Sequence, residues 1–305
     1  MATEITLVEV KALLCFSSNL NPPSPMHDPN LNPAPTPPEP YSLPSGGTRC
    51  AVRGIVKDSS PMVVKFGLEV YAREVEAMIF VASRTSVPVP RVYGVFTEAV
   101  GQSSKVMTYI VQEHIPGMRL EHAFESLSAD EREAIAHKLK AIFTQLHSLS
   151  DSQTRLEPFG GGSWSRTFWF KCFQRDFPIG DADAHTAQSL LTYFIGITSR
   201  SIQGCDWTRD EFLAFFDLDR APIFSHGDLT PWNIMVRDGR ILGIVDWAEA
   251  GWYPYFWDSF VLERAASMFR RIPGVREMLR AALLEYFPEG DKFGIHWNVQ
   301  NDFYW

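Results

Sequence analysis

Cysteine is scarce in this chain, and the four present, Cys15, Cys50, Cys172 and Cys205, stand far apart with no C-x-x-C pair. That spacing suggests neither a zinc site nor a disulfide framework, so a reducing compartment is expected. Long apolar runs are missing too, and nothing reaches the ~20 consecutive apolar residues of a membrane span. The amino terminus, MATEITLVEVKALLCF, sets Glu4 and Glu9 among its apolar residues and has no basic start before an apolar run, so no signal peptide is read and the expected location is cytoplasmic. Positive charge is also short: 28 Lys and Arg against 36 Asp and Glu give a net charge of -8, which argues against nucleic acid or an anionic membrane surface as partner. The eight histidines form no H-x-x-x-H or H-E-x-x-H run, G-x-S-x-G is absent, and Gly160–Gly162 do not complete G-x-x-x-x-G-K-[ST]. Zinc hydrolysis, the commonest serine-hydrolase signal and the Walker loop are therefore all without support.

What is present is an ordinary globular composition, 45% hydrophobic and 21% charged over 305 residues, enough for one or two domains. Residues 3–16 could form a short helix, after which ten of the 21 prolines fall between Pro22 and Pro44. Such a segment cannot continue a helix or a central strand and reads as an extended arm, partly disordered. Short β-type runs follow at Cys50–Val56 and Met62–Phe66, joined by a turn over Asp58–Pro61. A helix is expected over Leu68–Ser83, with Val75, Met78, Ile79 and Ala82 on its apolar side, then proline-spaced VPVPRVYGVF, then a strand at Val106–Gln112 stopped by Ile115–Gly117. Ser128 and Glu131 form an S-x-x-E capping box ahead of an apolar face of Ile135, Leu139, Ile142, Phe143 and Leu146. NIMVRDGRILGIVDW reads as a hairpin around Asp238-Gly239, and 256–286 return to helical spacing.

Three pieces combine chemically: Lys65 inside MVVKF, the segment SHGDLTPWNIMV over Ser225–Val236, and IVDW with Asp246. Singly, each has a plainer reading, since a strand lysine usually snorkels and an aspartate after a strand is usually a turn residue. Together they supply what phosphoryl transfer needs: a cation for phosphates, carboxylate and amide oxygens for a metal, and a carboxylate facing the nucleophile. Asp228 and Asn233 are five residues apart, as in H-R-D-x-x-x-x-N, and Asp246 lies just past a hairpin beginning at Asn233.

H-G-D-L-x-x-x-N followed by I-V-D-W resembles the aminoglycoside phosphotransferase and choline kinase family, particularly its fungal-type members. VVKFG with REVEAMIFVASRTSVPVPRVYG, YIVQEHIPGMRL and DWAEAGWYPYFWD are similar to that family's nucleotide lysine and pairing helix, its linker and its metal segment. The resemblance covers about residues 50–265. It implies an α+β, bilobal protein-kinase-like fold, with a small antiparallel-sheet lobe over 48–112 and a mostly helical lobe over 113–305, which follow an N-terminal segment over 1–47 that holds the proline-rich arm. It implies ATP and Mg²⁺ as cofactors and a small hydroxylated molecule as acceptor. It further implies Lys65 on the α- and β-phosphates with Glu74 as ion-pair partner, Glu113 and Ile115 as backbone contacts to adenine, Asp228 as base, Asn233 and Asp246 as Mg²⁺ ligands, and His226 as support for the loop. Glu76 lies nearly on the opposite helical face from Glu74, so only one of them can pair; Glu74 is favoured because it stands seven residues before Val81 at the helix end, as in members of the resembled family.

Two departures accompany the resemblance. The stretch SGGTRCAVRGIVKDS has Gly46, Gly47 and Gly54 but no G-x-G-x-x-G, and Asp246 is followed by Trp247-Ala248. With the long arm, the poor glycine loop motivates an alternative, a kinase-fold binding or scaffold protein with weak or no catalysis. All nine tryptophans stand at or after Trp164; Trp164, Trp169, Trp207 and Trp252 are either acceptor-pocket walls or plain core. Asp206, Asp210, Asp217 and Asp219 either attract a cationic acceptor or form a solvated face.

Overall fold

The computed structural model describes residues 5–16, 49–102, 104–149, 155–161, 216–265 and 272–283. The chain divides into two compact units, Met1–Ile79 with Pro90–Pro116, and Phe80–Val89 with Gly117–Trp305.

In the first unit, β1 (Ala51–Lys57) and β2 (Ser60–Gly67) form an antiparallel hairpin whose turn is tighter than the expected Asp58–Pro61. Asp58 and Ser59 alone make it, at φ 50° and 64°, the doubly positive geometry whose twist matches the flanking strands. Pro61 already pairs with Val56 in the ladder. With β3 (Val92–Ala99) and β4 (Val106–Glu113) they form a sheet in the order β1-β2-β4-β3. The two-residue period of β2 sends Met62, Val64 and Phe66 to one face and Lys65 to the other. The first face packs with Ile5, Val10 and Leu14 around the helix α1 (Leu7–Phe16). Thr6 and Glu9 start that helix as a reciprocal cap, the Thr6 N–H donating to Glu9 Oε2 at 2.8 Å and the Glu9 N–H to Thr6 Oγ1 at 3.3 Å.

Helix α2 (Arg73–Arg84) begins five residues later than the pattern suggests. Leu68 and Glu69 are turned back, with the Glu69 N–H donating to Arg49 O at 2.8 Å, and the carbonyls of Tyr71 and Ala72 take the first helical N–H groups. Its buried side is Glu74, Val75, Ala77, Met78 and Val81, while Ile79 is 57% exposed and Ala82 faces solvent, against expectation. The apolar period was read one position off because a buried glutamate occupies the inward stripe.

The second unit contains α3 (Leu120–Ala123), α4 (Ala129–His147), α5 (Trp257–Ala265) and α6 (Val275–Leu283). α4 has the expected box, Ser128 Oγ accepting from Glu131 N and Glu131 Oε2 from Ser128 N, and all five expected apolar residues are buried. It packs on α6 and on β7 (Ile223–Ser225). The hairpin of β8 (Ile234–Arg237) and β9 (Arg240–Ile244) turns at Asp238-Gly239, φ 50° and 66°, and is joined by β5 (Met118–Arg119). A second three-stranded sheet, β6-β10-β7, uses β6 (Glu157–Pro158) and β10 (Gly251–Tyr253) and had no counterpart in the sequence reading. Phe80, Phe159, Phe224 and Trp252 pack as one aromatic cluster, so Trp252 is core. Trp164, Trp169, Trp207, Asp206 and Asp210 lie outside the described residues, as do Gly46 and Gly47, while Asp217 and Asp219 are exposed. The described strands pair antiparallel throughout, and with the helices they make an α+β chain.

Candidate active site

Lys65 sits in the middle of β2, where its apolar neighbours carry the strand into the sheet and the residue is only 7% exposed. A buried cation needs a partner, and Glu74, in the first turn of α2 and 1% exposed, provides it: Lys65 Nζ donates to Glu74 Oε1 at 2.9 Å and Oε2 at 2.7 Å. Glu76 is exposed. At the end of β4, the Glu113 N–H donates to Arg91 O at 2.8 Å and its carboxylate accepts from Arg91 N at 3.1 Å, so any ligand contact from Glu113 would come from its carbonyl oxygen. Ile115 follows outside the strand and is buried.

In the second unit the Asp228 loop is closed by its own backbone. The Asp228 carbonyl accepts from Thr230 N at 2.9 Å and from Asn233 Nδ2 at 2.8 Å, and Pro231–Asn233 form a 3-10 turn that returns Asn233 to Asp228. Asn233 Nδ2 also donates to Asp228 Oδ2 at 3.1 Å. Both its partners are pure acceptors, so the amide nitrogen faces Asp228 and Asn233 Oδ1 is turned elsewhere. The five-residue spacing is thus the span of one tight turn plus a closing side chain. Val245 N donates to Asn233 O at 2.9 Å, which sets Asp246 beside Asn233 at the open end of the β8–β9 hairpin. Asp246 is exposed and left-handed, φ 63° and ψ 67°, a conformation aspartate tolerates at modest cost.

His226 fixes the loop from the other side. Its Nε2–H donates to Val245 O at 3.1 Å, its Nδ1 accepts the Asp228 N–H at 3.3 Å, and its ring meets Trp247 edge-on at 4.5 Å between centroids. One nitrogen donating to a carbonyl and the other accepting from an amide define the neutral ring. Gly227 has φ 80°, and a Cβ there would lie 2.1 Å from Glu249 O, so only glycine fits.

Electrostatically the loop is strained. Burial pushes the Asp228 carboxyl well above the usual carboxylate range, and the charges of Asp246 and then Glu249 push it further, while hydrogen bonds from Trp232 and Asn233 act the other way. Its Oδ1 is shielded from solvent and has no hydrogen-bond partner among the described residues. Trp232 and Glu249 escaped the sequence reading. Trp232 carried a signal, since it stands beside Asn233 in the quoted motif, whereas buried Glu249, three residues past Asp246, looked like a polar spacer.

Among the described residues no group of three or more His, Cys, Asp or Glu is arranged as a ready-made metal centre. Mg²⁺ does not require one, since it commonly takes one or two protein oxygens and completes its shell with water and substrate phosphates. Asn233 Oδ1 and the Asp246 carboxylate are hard oxygen donors of that kind, and they stand beside a carboxylate whose charge is uncompensated. The residues present therefore fit the ion.

The amide-closed loop, the hairpin aspartate and the buried lysine pair can be set against known proteins. No curated protein matches the chain. Among solved structures, a thermostable mutant of aminoglycoside phosphotransferase APH(4)-Ia in apo form is similar at 16% identity, over 84% of this chain and 91% of that one, with a TM-score of 0.45. Amicoumacin kinase hAmiN in complex with AMP-PNP, Ca2+ and Ami gives 14%, 79%, 70% and 0.48, and the streptomycin-ATP-APH(2")-IIa ternary complex gives 16%, 84%, 79% and 0.44. The weightier finding is in the sequence itself. The phosphotransferase enzyme family matches residues 52–293, a span that includes Lys65, Glu74, Asp228, Asn233 and Asp246, and the chain belongs to that family.

Proposed function

We propose that this chain is a small-molecule kinase that transfers the γ-phosphoryl group of ATP to a hydroxyl of a small acceptor, with Asp228 as the base. The observation that carries the reading is the closure of Asp228 by Asn233 at 3.1 Å, with Asp246 at the neighbouring hairpin end. That arrangement supports a carboxylate held in direction beside two hard oxygen donors, which is what phosphoryl transfer asks of a protein.

In the reaction, the acceptor hydroxyl forms the new bond to the γ-phosphorus, its proton passes to the Asp228 carboxylate, and the bond from that phosphorus to the β,γ-bridging oxygen breaks to leave ADP. A carboxyl pushed upward is the stronger base for that proton. Asn233 holds the carboxylate aimed while it works. Lys65, oriented by Glu74, places its positive charge against the α- and β-phosphates. Asn233 Oδ1 and Asp246 would hold Mg²⁺, which supplies neutralisation of phosphate charge. Glu113 O and the Ile115 backbone would meet the adenine edge. The acceptor class is aminoglycoside-, choline- or metabolite-like.

The test is incubation of the purified protein with ATP, Mg²⁺ and panels of aminoglycosides, amino alcohols and sugars, with mass spectrometry of each acceptor. A phosphorylated acceptor formed by wild type and lost in Asp228→Asn is the expected result. Nucleotide binding without transfer to any panel member or to water would instead favour the binding-protein alternative.

A further inference from the structure

The sheet face that carries Lys65 is covered on one side only. Val75 of α2 packs on Ile110 and Val92, closing the β3–β4 side, whereas on the β1 side Val52 and Val56 stand 53% and 47% exposed. The register puts these residues on one face, because opposite partners in an antiparallel pair point the same way: Val52 stands against Lys65 and Lys65 against Ile110. In the neighbouring row run Gly54, Val63 and Gln112. Gly54 has no side chain, so the two valines flank a strip of bare backbone beside half-buried Val63. A strip of that kind suits the face of a flat heterocycle.

Gln112 is the odd member of its row. It is 8% exposed, and among the described residues its amide has no hydrogen-bond partner. An amide drawn out of water without a partner is destabilising, and an apolar side chain would fill the same strand position without that penalty. The amide therefore points to a polar group brought in from outside the chain.

The next residue narrows what that group is. The Glu113 N–H is held by Arg91 O and its carboxylate by the Arg91 N–H, so Glu113 has its carbonyl to offer, a pure acceptor. Adenine meets an acceptor with its 6-amino group. Guanine has the acceptor O6 in that place and must present N1–H to the carbonyl instead, which sends O6 one step along the strand toward Gln112. An amide serves both bases: its Nε2–H donates to O6 of guanine, and after a half-turn its Oε1 accepts from the amino group of adenine. For adenine it is a second partner, and for guanine O6 the first.

We propose that Gln112 is a specificity-determining residue that reads the six-position of the purine and admits GTP alongside ATP. The inference rests on the phosphotransferase reading, which places a nucleotide at Lys65 and Glu113, and it adds which nucleotides the site accepts.

The experiment is calorimetric titration of the full chain, wild type and Gln112→Met, with the Mg²⁺ complexes of ATP, GTP and inosine triphosphate. Inosine keeps O6 and N1–H and lacks the 2-amino group, so it isolates the contact in question. Wild type should bind GTP and inosine triphosphate within about tenfold of ATP. Gln112→Met, apolar and of similar length, should weaken both about fiftyfold, because O6 is left without a donor, and ATP only about threefold, because the Glu113 carbonyl still holds the amino group. Should that variant fail to fold, Gln112→Leu carries the same readouts. GTP bound more than a hundredfold more weakly than ATP by wild type, or an equal effect of the substitution on all three nucleotides, overturns the proposal and leaves the phosphotransferase reading standing. Absence of binding by every nucleotide overturns both together.

Discussion

The two units treat buried charge in opposite ways. In the first, Lys65 and Glu74 are both withdrawn from water and neutralise each other at 2.7 Å. In the second, Asp228 is pressed by Asp246 and Glu249, like charges all, and its opposing forces are only the hydrogen bonds of Trp232 and Asn233. One charge set is complete within the chain. The other gathers charges of one sign, which under the proposed reading a cation and a phosphate would meet when the nucleotide binds. The lesson is that a buried pair of opposite charges and a cluster of like charges make opposite demands on stability.

Breaking each set should therefore have contrasting consequences. Asp228→Asn should lower turnover by about 10² to 10⁴, the range for a positioned base. It should also raise rather than lower the melting temperature of the ligand-free protein. An ionised group whose folded pKa is raised opposes folding near neutral pH, so removing its charge relieves the repulsion. Thermal melting without Mg²⁺ checks the sign. Lys65→Met should do the reverse to stability: it strands Glu74 in the core and should cost about 3–5 kcal/mol by chemical denaturation, most of it regained on adding Glu74→Leu. Recovery of stability without recovery of MgATP binding would separate the two uses of the lysine.

Smaller effects sharpen the same contrast. Ser128→Ala removes the cap of α4 and should cost about 1 kcal/mol of stability with kcat unchanged. Glu9 is lowered to about 2, chiefly by its bond from the Thr6 backbone and then by Lys57. A lowered folded pKa gives stability that is present above the unfolded value of 4.5 and lost as pH falls toward about 2. Exchange of the α1 amides should quicken over that acid window, and Glu9→Gln should flatten the dependence.

Much of this was legible in the sequence because local rules wrote it. The α4 box and its five apolar residues, the β8–β9 turn at Asp238-Gly239, and the α+β order all follow from short-range chemistry. Helical spacing limits the pairing of Lys65 to one of Glu74 and Glu76, and the family resemblance points to Glu74, which is the partner found. What escaped depends on distant partners. The start of α2 was misplaced because Arg49, outside the helix, captures the Glu69 N–H. The Thr6–Glu9 cap was overlooked at the head of a short helix, although the T-x-x-E pattern was there to be read. Sheet β6-β10-β7 joins strands of two or three residues far apart in sequence, too short for any periodicity. Ser225, Asp258 and His147 look like ordinary polar residues until folding joins them, Ser225 Oγ to Asp258 Oδ1 at 2.6 Å and His147 Nε2 to Asp258 Oδ2 at 2.8 Å.

The central claim is that Asp246 and Asn233 prepare a metal-dependent nucleotide site. Calorimetric titration of ATP into the protein, with and without Mg²⁺ and alongside Asp246→Ala, tests it most directly. The account predicts heat of binding that requires Mg²⁺ and disappears in the variant; equal binding in all three conditions, or none in any, would contradict it.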